Sequence, residues 1–280
     1  MAQLCLGLAT SHLAHIVNAR ALAEPRQVAM FDRGYERLAS ALDAAAPDVT
    51  LIVSAEHVNK FFIDNMPAFC IGTFEMFGGP FEARTRDFGI PFHQVPSHFA
   101  FARYLVERGL DEGVDWAVTE SWDVDHGMMV PLHKLDPAGR HKMVPVFINC
   151  AAPPLPSPRR CFAVGQWLAD AIARWDGGKR VGIIATGGLS HSVGSVQQGY
   201  IDEAFDRRFL DAFCAGDGKW LAGLSHEEIA ATGSASGEVR SWIMLAGAFA
   251  GRRAECVFYE PIRGFDTGCA QCVVDASAAP

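Results

Sequence analysis

The sequence predicts an α/β protein: a three-layer α/β/α sandwich around a central, mostly parallel or mixed sheet. Two observations carry this. Four near-continuous apolar runs, at 4–9, 49–54, 143–149 and 181–185, lack polar alternation and so read as central strands covered on both faces. Amphipathic helical patterns lie between and after them and supply the covering layers.

Taken in order, the run at 4–9 leads directly into Thr10-Ser11-His12. A helix is expected over 33–46, where Tyr35, Leu38, Leu42 and Ala45 share one face. The run at 49–54 continues into Ala55-Glu56-His57. The segment 72–97 is rich in Gly, Pro and Phe without a period, and is read as a covering loop or pocket wall. After the strand at 143–149, a helix over 161–175 aligns Phe162, Val164, Leu168, Ile172 and Trp175. The strand at 181–185 opens into Thr186-Gly187-Gly188-Leu189-Ser190-His191, and further helices are expected over 202–215 and 237–250. One unit spanning 1–280 is expected, at a length compatible with a single large domain.

Composition narrows the function. The chain has 24 Lys and Arg against 32 Asp and Glu, a net charge of −8, which argues against nucleic acid or an anionic membrane as partner. Its 19 Phe and 6 Trp argue for a packed core rather than disorder. No apolar stretch approaches the ~20 residues of a membrane helix. The first residues carry no basic segment of the signal-peptide kind, so a cytoplasmic protein is expected. Eight scattered cysteines fit reduced, mostly buried thiols. Cys269 and Cys272 have redox or zinc half-site spacing, but with no second pair they read as structural.

The informative signal is where the ten histidines fall. Three of the four strands end in a histidine or a histidine-bearing turn: His12, His57 and His191. Ligands of open α/β sheets bind outside the carboxyl ends of the strands, so these three are brought to one rim. A fourth candidate is His126 in Trp122-Asp123-Val124-Asp125-His126-Gly127, where a carboxylate one or three residues earlier can orient the ring. Imidazoles suit several metals, and a carboxylate ligand is the natural complement. Glu238 is the best candidate: Ser236 is expected to cap the following helix, placing Glu238 in a first turn whose dipole favours the anion.

Together, Ser11-His12, the His57 strand end, DVDHG at 123–127 and ATGGLSH at 185–191 resemble the class III extradiol ring-cleaving dioxygenases. This family includes the catalytic β subunit of protocatechuate 4,5-dioxygenase, gallate dioxygenase and 2,3-dihydroxyphenylpropionate 1,2-dioxygenase. NMPAFCIG at 65–72 and PVFINC at 145–150 also look like this family, so the resemblance spans nearly the whole chain. It implies the same α/β/α sandwich, with Fe(II) held by His12, His57 and Glu238. It further implies His191 as the acid/base and His126 as a second active-site histidine that positions oxygen by hydrogen bonding. The implied reaction is cleavage of a substituted catechol with O2, the substrate being an aromatic acid of the protocatechuate, gallate or dihydroxyphenylpropionate kind. Aminophenol-cleaving relatives share the same motifs. The implied assembly is a homo-oligomer or a complex with a small α subunit.

An anionic substrate needs a local cation, for which Lys60, Arg84 and Arg86 are candidates, and Phe61, Phe62, Phe74, Phe77 and Phe81 are candidates for an apolar wall. Two readings from other classes stand beside the dioxygenase. The same His-His-Glu set suits zinc and water activation in a hydrolase. A non-catalytic accessory subunit would keep the fold, although the presence of both His126 and His191 argues against it. His15 is the nearest to the site of the six histidines left unassigned.

Overall fold

The computed structural model describes residues 1–177, 179–274 and 276, so a few positions of the expected 1–280 unit lie outside the described residues. In chain order the elements are β1 (Gln3–Thr10), α1 (His15–Asn18), α2 (Pro25–Ala45), β2 (Val49–Ser54), β3 (Phe69–Gly72), β4 (Met76–Gly79) and β5 (His93–Pro96). There follow α3 (Phe99–Glu112), β6 (Ala117–Thr119), α4 (His126–Leu135), β7 (Met143–Ile148), α5 (Pro158–Arg174) and β8 (Arg180–Thr186). The chain closes with α6 (Glu203–Ala215), α7 (Gly218–Gly223), α8 (His226–Ala231), α9 (Val239–Ala248), β9 (Ala254–Ile262) and β10 (Thr267–Val274).

The main sheet has eight strands in the order β6-β3-β7-β2-β8-β1-β10-β9. The four strands expected from sequence are its contiguous parallel centre, β7-β2-β8-β1. Antiparallel pairings flank that centre, β3 against β7 on one side and β10 against β1 and β9 on the other, so the sheet is mixed. Parallel centres are buried on both faces, which explains the absence of polar alternation in those runs.

Alternate side chains of each central strand feed two cores. On β2, Leu51 and Val53 join one, with Phe101 of α3, Leu168 of α5, Phe209 of α6 and Trp242 of α9. Ile52 joins the other, with Phe31, Tyr35 and Leu38 of α2 and Met128 and Leu132 of α4. Each fully buried side chain of this kind contributes about 1.5–3 kcal/mol of transfer free energy. The three expected layers are thus present. Helix α2 starts at Pro25, earlier than the expected 33, because proline is well placed in a first helical turn and Val28 and Phe31 extend the buried face. Helices α5 and α9 pack with backbones in contact: a Cβ on Gly165 would lie 2.0 Å from Met244 O, and one on Gly247 would lie 2.1 Å from Phe162 O.

Two local expectations, on the segment 72–97 and on Ser236, are corrected, and the structural reading of the cysteine pair is kept. The segment 72–97 is not structureless, because β4 and β5 pair as a small antiparallel sheet with a 3-10 turn at Phe81–Arg84. Helix α9 begins only at Val239. Ser236 sits in a preceding 3-10 turn, and its hydroxyl accepts from the backbone N–H of His191 rather than capping a helix. Cys269 and Cys272 lie three apart on a strand, hence on opposite faces: Cys269 packs in the α2 core and Cys272 in the α5–α9 core, and both are free.

Candidate active site

Parallel order brings the carboxyl ends of β2, β8 and β1 side by side, with β8 in the middle. His57 follows β2, His191 closes the turn after β8, and His12 follows β1. The turn before α9 brings Glu238 against the β8 end, and α4 opens on His126. All five residues line one pocket of about 680 Å³.

Each imidazole is oriented through its Nδ1. Thr186 Oγ1 donates to Gly127 O at 2.8 Å, so it can only accept from His12 Nδ1, 3.0 Å away. That places the ring hydrogen on Nδ1 and turns the Nε2 lone pair toward Glu238 Oε2 at 3.1 Å. His57 Nδ1 donates to Asp125 Oδ2 at 2.9 Å, and its Nε2 lies 3.2 Å from Glu238 Oε1. His126 Nδ1 meets Glu82 Oε1 at 2.6 Å. His191 Nδ1 donates to Leu189 O at 3.1 Å, leaving Nε2 3.8 Å from Glu238 Oε2. Ring nitrogens of His12, His57 and His126 lie within 4.8 Å of one another, with the His57 and His126 rings 4.0 Å apart between centroids.

Glu238 is buried, and Gly188 N–H donates to its Oε2 at 2.7 Å. Only glycine fits at 187: its φ is +148°, and a Cβ there would lie 2.8 Å from Glu238 Cβ. Burial alone would push the Glu238 carboxyl up, but His12 and His191, with the close Nε2 contacts of His12 and His57, outweigh it and hold the pKa well below the usual range. Burial lowers the pKa of His12, with Glu238 opposing. Burial also acts to lower that of His57, but Asp125 and Glu238 prevail and raise it well above the ordinary value. Asp125 resists burial because His57 beside it holds the carboxyl low, and it also accepts from Gly127 N–H at 2.9 Å.

Two oriented imidazoles facing an anionic carboxylate from different strands form a donor set suited to a divalent metal, and His126 adds a third nitrogen at the same place. Mixed nitrogen and oxygen donors with no thiolate fit Fe(II) as well as Zn(II).

The structure redistributes the carboxylates expected beside His126. Asp125 serves His57, Asp123 pairs with Arg84 at 2.6 Å, and His126 is held by Glu82 from the β4–β5 segment. That segment backs the site and does not wall the pocket. Phe74 and Phe77 are core residues, Phe61 packs on Trp122 and Phe147, Phe62 is exposed, and neither these nor Phe81 line the pocket. Lys60, Arg84 and Arg86 do not line it either. The lining aromatic is Phe265, on which the ring of His15 stacks at 5.7 Å. Sequence reasoning missed Glu82, which has no local motif, and Thr186, which stood in plain view at a strand end.

Comparison with known proteins shows the family. The family model described as the catalytic LigB subunit of aromatic ring-opening dioxygenase matches residues 6–268. The chain belongs to this family and is an aromatic ring-opening dioxygenase. It is similar to a 2,3-dihydroxyphenylpropionate/2,3-dihydroxicinnamic acid 1,2-dioxygenase of Photorhabdus laumondii, 28% identical over 84% of this chain and 87% of that protein. A Burkholderia vietnamiensis protein of the same name is 29% identical over 81% and 83%. One from Mycobacterium sp. strain MCS is 38% identical over 52% of this chain and 44% of its own. The crystal structure of the uncharacterized Escherichia coli K12 protein JW3007 superposes with a TM-score of 0.64, covering 97% of this chain and 100% of that one at 15% identity, and shows the shared fold.

Proposed function

We propose that residues 1–280 form one catalytic domain of a cytoplasmic, Fe(II)-dependent extradiol dioxygenase that opens the ring of a substituted catechol with O2. The observation that carries the reading is the convergence of His12, His57 and Glu238 at 3.1–3.2 Å, each fixed by an independent partner, with His191 and His126 beside them. His12, His57 and Glu238 are assigned as metal ligands, and Fe(II), when bound, supplies the electron path between catechol and dioxygen. Glu238 enters that role already anionic, and the imidazoles present Nε2 because Thr186 and Asp125 occupy Nδ1.

His191 is assigned as the acid/base. Leu189 O fixes its Nδ1 hydrogen, so Nε2 is the atom that takes a proton from a catechol hydroxyl and later returns it. His126, anchored through Nδ1 by Glu82, is left with Nε2 free to hydrogen-bond oxygen. Relatives named for 2,3-dihydroxyphenylpropionate support a substituted catechol as the substrate class. Eight free thiols support a reducing compartment, and exposed Val58 and Val193 at the pocket support a covering chain, either a second copy or a small α subunit.

The test is anaerobic purification, reconstitution with Fe(II) and oxygen-electrode assay against substituted catechols. Oxygen uptake with a yellow ring-fission product is expected. Turnover with zinc and without oxygen would contradict the reading and favour a hydrolase.

A further inference from the structure

The pocket has a charge pattern that bears on which catechol it takes. Its lining includes three carboxylates, Glu56, Glu238 and Asp266, and among the described residues no lysine or arginine. Arg240 lies buried behind the site, but its guanidinium is committed to Pro156 O, Gly237 O and His226. Arg84 pairs with Asp123, and Arg263 lies nearest Glu203.

The three carboxylates are not equivalent. Glu238 belongs to the metal set under the reading above. Glu56 accepts from the backbone N–H groups of Asn59, Lys60 and Phe61, which largely satisfy it. Asp266 is half-buried and left-handed at φ +53°, and among the described residues accepts only from Gln198 Nε2, at 3.2 Å. It lines the same pocket as His15, whose ring stacks over the buried Phe265, and its charge acts on that ring, so it stands beside the His15 face of this Phe265–His15 platform. The His15 ring nitrogens have no hydrogen-bond partner among the described residues, and burial lowers the pKa of that ring, with Asp266 opposing.

Resting on the dioxygenase reading, we propose that this pocket selects catechols whose ring substituent is uncharged or cationic, and that Asp266 is the specificity-determining residue that rejects carboxylated catechols. A carboxylate brought onto the Phe265–His15 platform meets a like charge with no fixed cation to offset it, and its desolvation is uncompensated. An apolar substituent lies on the platform without such a loss, and an ammonium or hydroxyl group donates to Asp266.

Matched substrates test this with Fe(II)-loaded protein: 4-methylcatechol against protocatechuate, and dopamine against 3,4-dihydroxyphenylacetate. The neutral and cationic members are expected to exceed their acidic partners in kcat/KM by about tenfold or more, chiefly through KM. Asp266→Asn, which suits the left-handed backbone, should shrink that gap to within about threefold, and Asp266→Gly serves if the asparagine variant does not fold. Acids turned over as well as or better than their partners, or a gap unchanged in both variants, would overturn the proposal. Anaerobic binding of the same pairs separates it from the reading beneath. Selective binding without turnover of any catechol would uphold the pocket preference and sink the dioxygenase assignment, whereas turnover without selectivity would do the reverse.

Discussion

Thr186 decides which nitrogen of His12 faces Glu238, because its own hydroxyl hydrogen is committed to Gly127 O. Thr186→Val removes the acceptor while keeping the shape, and a 10–100-fold loss in metal affinity or activity is expected, with Thr186→Ser restoring most of it. An isotherm unchanged by the valine would show that the tautomer is fixed elsewhere. The ligand assignment has its own signature. His12→Ala and Glu238→Ala should lose bound iron in metal analysis, whereas His126→Ala should retain it and lose about 10²–10³ in kcat. Iron lost on His126→Ala would place that ring among the ligands, which its nearness to His12 and His57 makes a real alternative. Much of this residue-scale picture was legible: His12, His57, His126, His191 and Glu238 announced themselves at strand ends and in short motifs. Their partners did not. Glu82 lies 44 positions from His126, and nothing in an aperiodic Gly- and Pro-rich segment shows that it will reach a ring donated by a distant helix.

Elements hold these residues through close backbone approach and one buried network. A Cβ at Gly187 would strike the Cβ of Glu238, so Gly187→Ala should displace the carboxylate and cost metal affinity and about 1–3 kcal/mol of stability. A smaller effect in denaturant titrations would mean that the turn before α9 yields easily. Behind His191, Asp206 of α6 accepts from Ser190 N–H at 2.8 Å, Ser190 Oγ–H at 2.9 Å and Tyr259 O–H at 3.0 Å, tying α6 and β9 to the turn after β8. Burial pushes this carboxyl up to about 6 against those hydrogen bonds. The native state therefore keeps a proton that the unfolded chain, titrating near 3.8, has already released. Asp206 contributes a stability that is present below that unfolded value, falls as pH rises toward about 6 and is flat above, by about 3 kcal/mol. Wild type compared with Asp206→Asn across pH 4–7 should show this drift, and a constant difference would refute it. The central strands and long helices were readable from apolar runs and periodicity. Strands β3 and β6 were missed because they are short, β9 because it is an edge strand with a half-exposed pattern, and β10 because Thr267, Gly268 and Gln271 interrupt its apolar run.

At the scale of the molecule, the net charge of −8 and the fold-level rule that ligands bind at the carboxyl ends of parallel strands meet in one pocket. For a counter-charge to an anionic substrate the sequence offers Lys60, Arg84 and Arg86 as candidates. The tertiary arrangement turns all three away and lines the pocket with Asp266, a residue with no local motif to distinguish it. The family match over residues 6–268 makes ring opening the chemistry of that span, and the proposed mechanism turns on the metal. The most direct measurement is therefore oxygen stoichiometry with the Fe(II)-reconstituted protein and a catechol it binds, using labelled dioxygen. One O2 consumed per ring opened, both labelled atoms in the product, and loss of both on His12→Ala is the predicted result. Substrate conversion without oxygen consumption, or unchanged by removing the iron, would contradict the account.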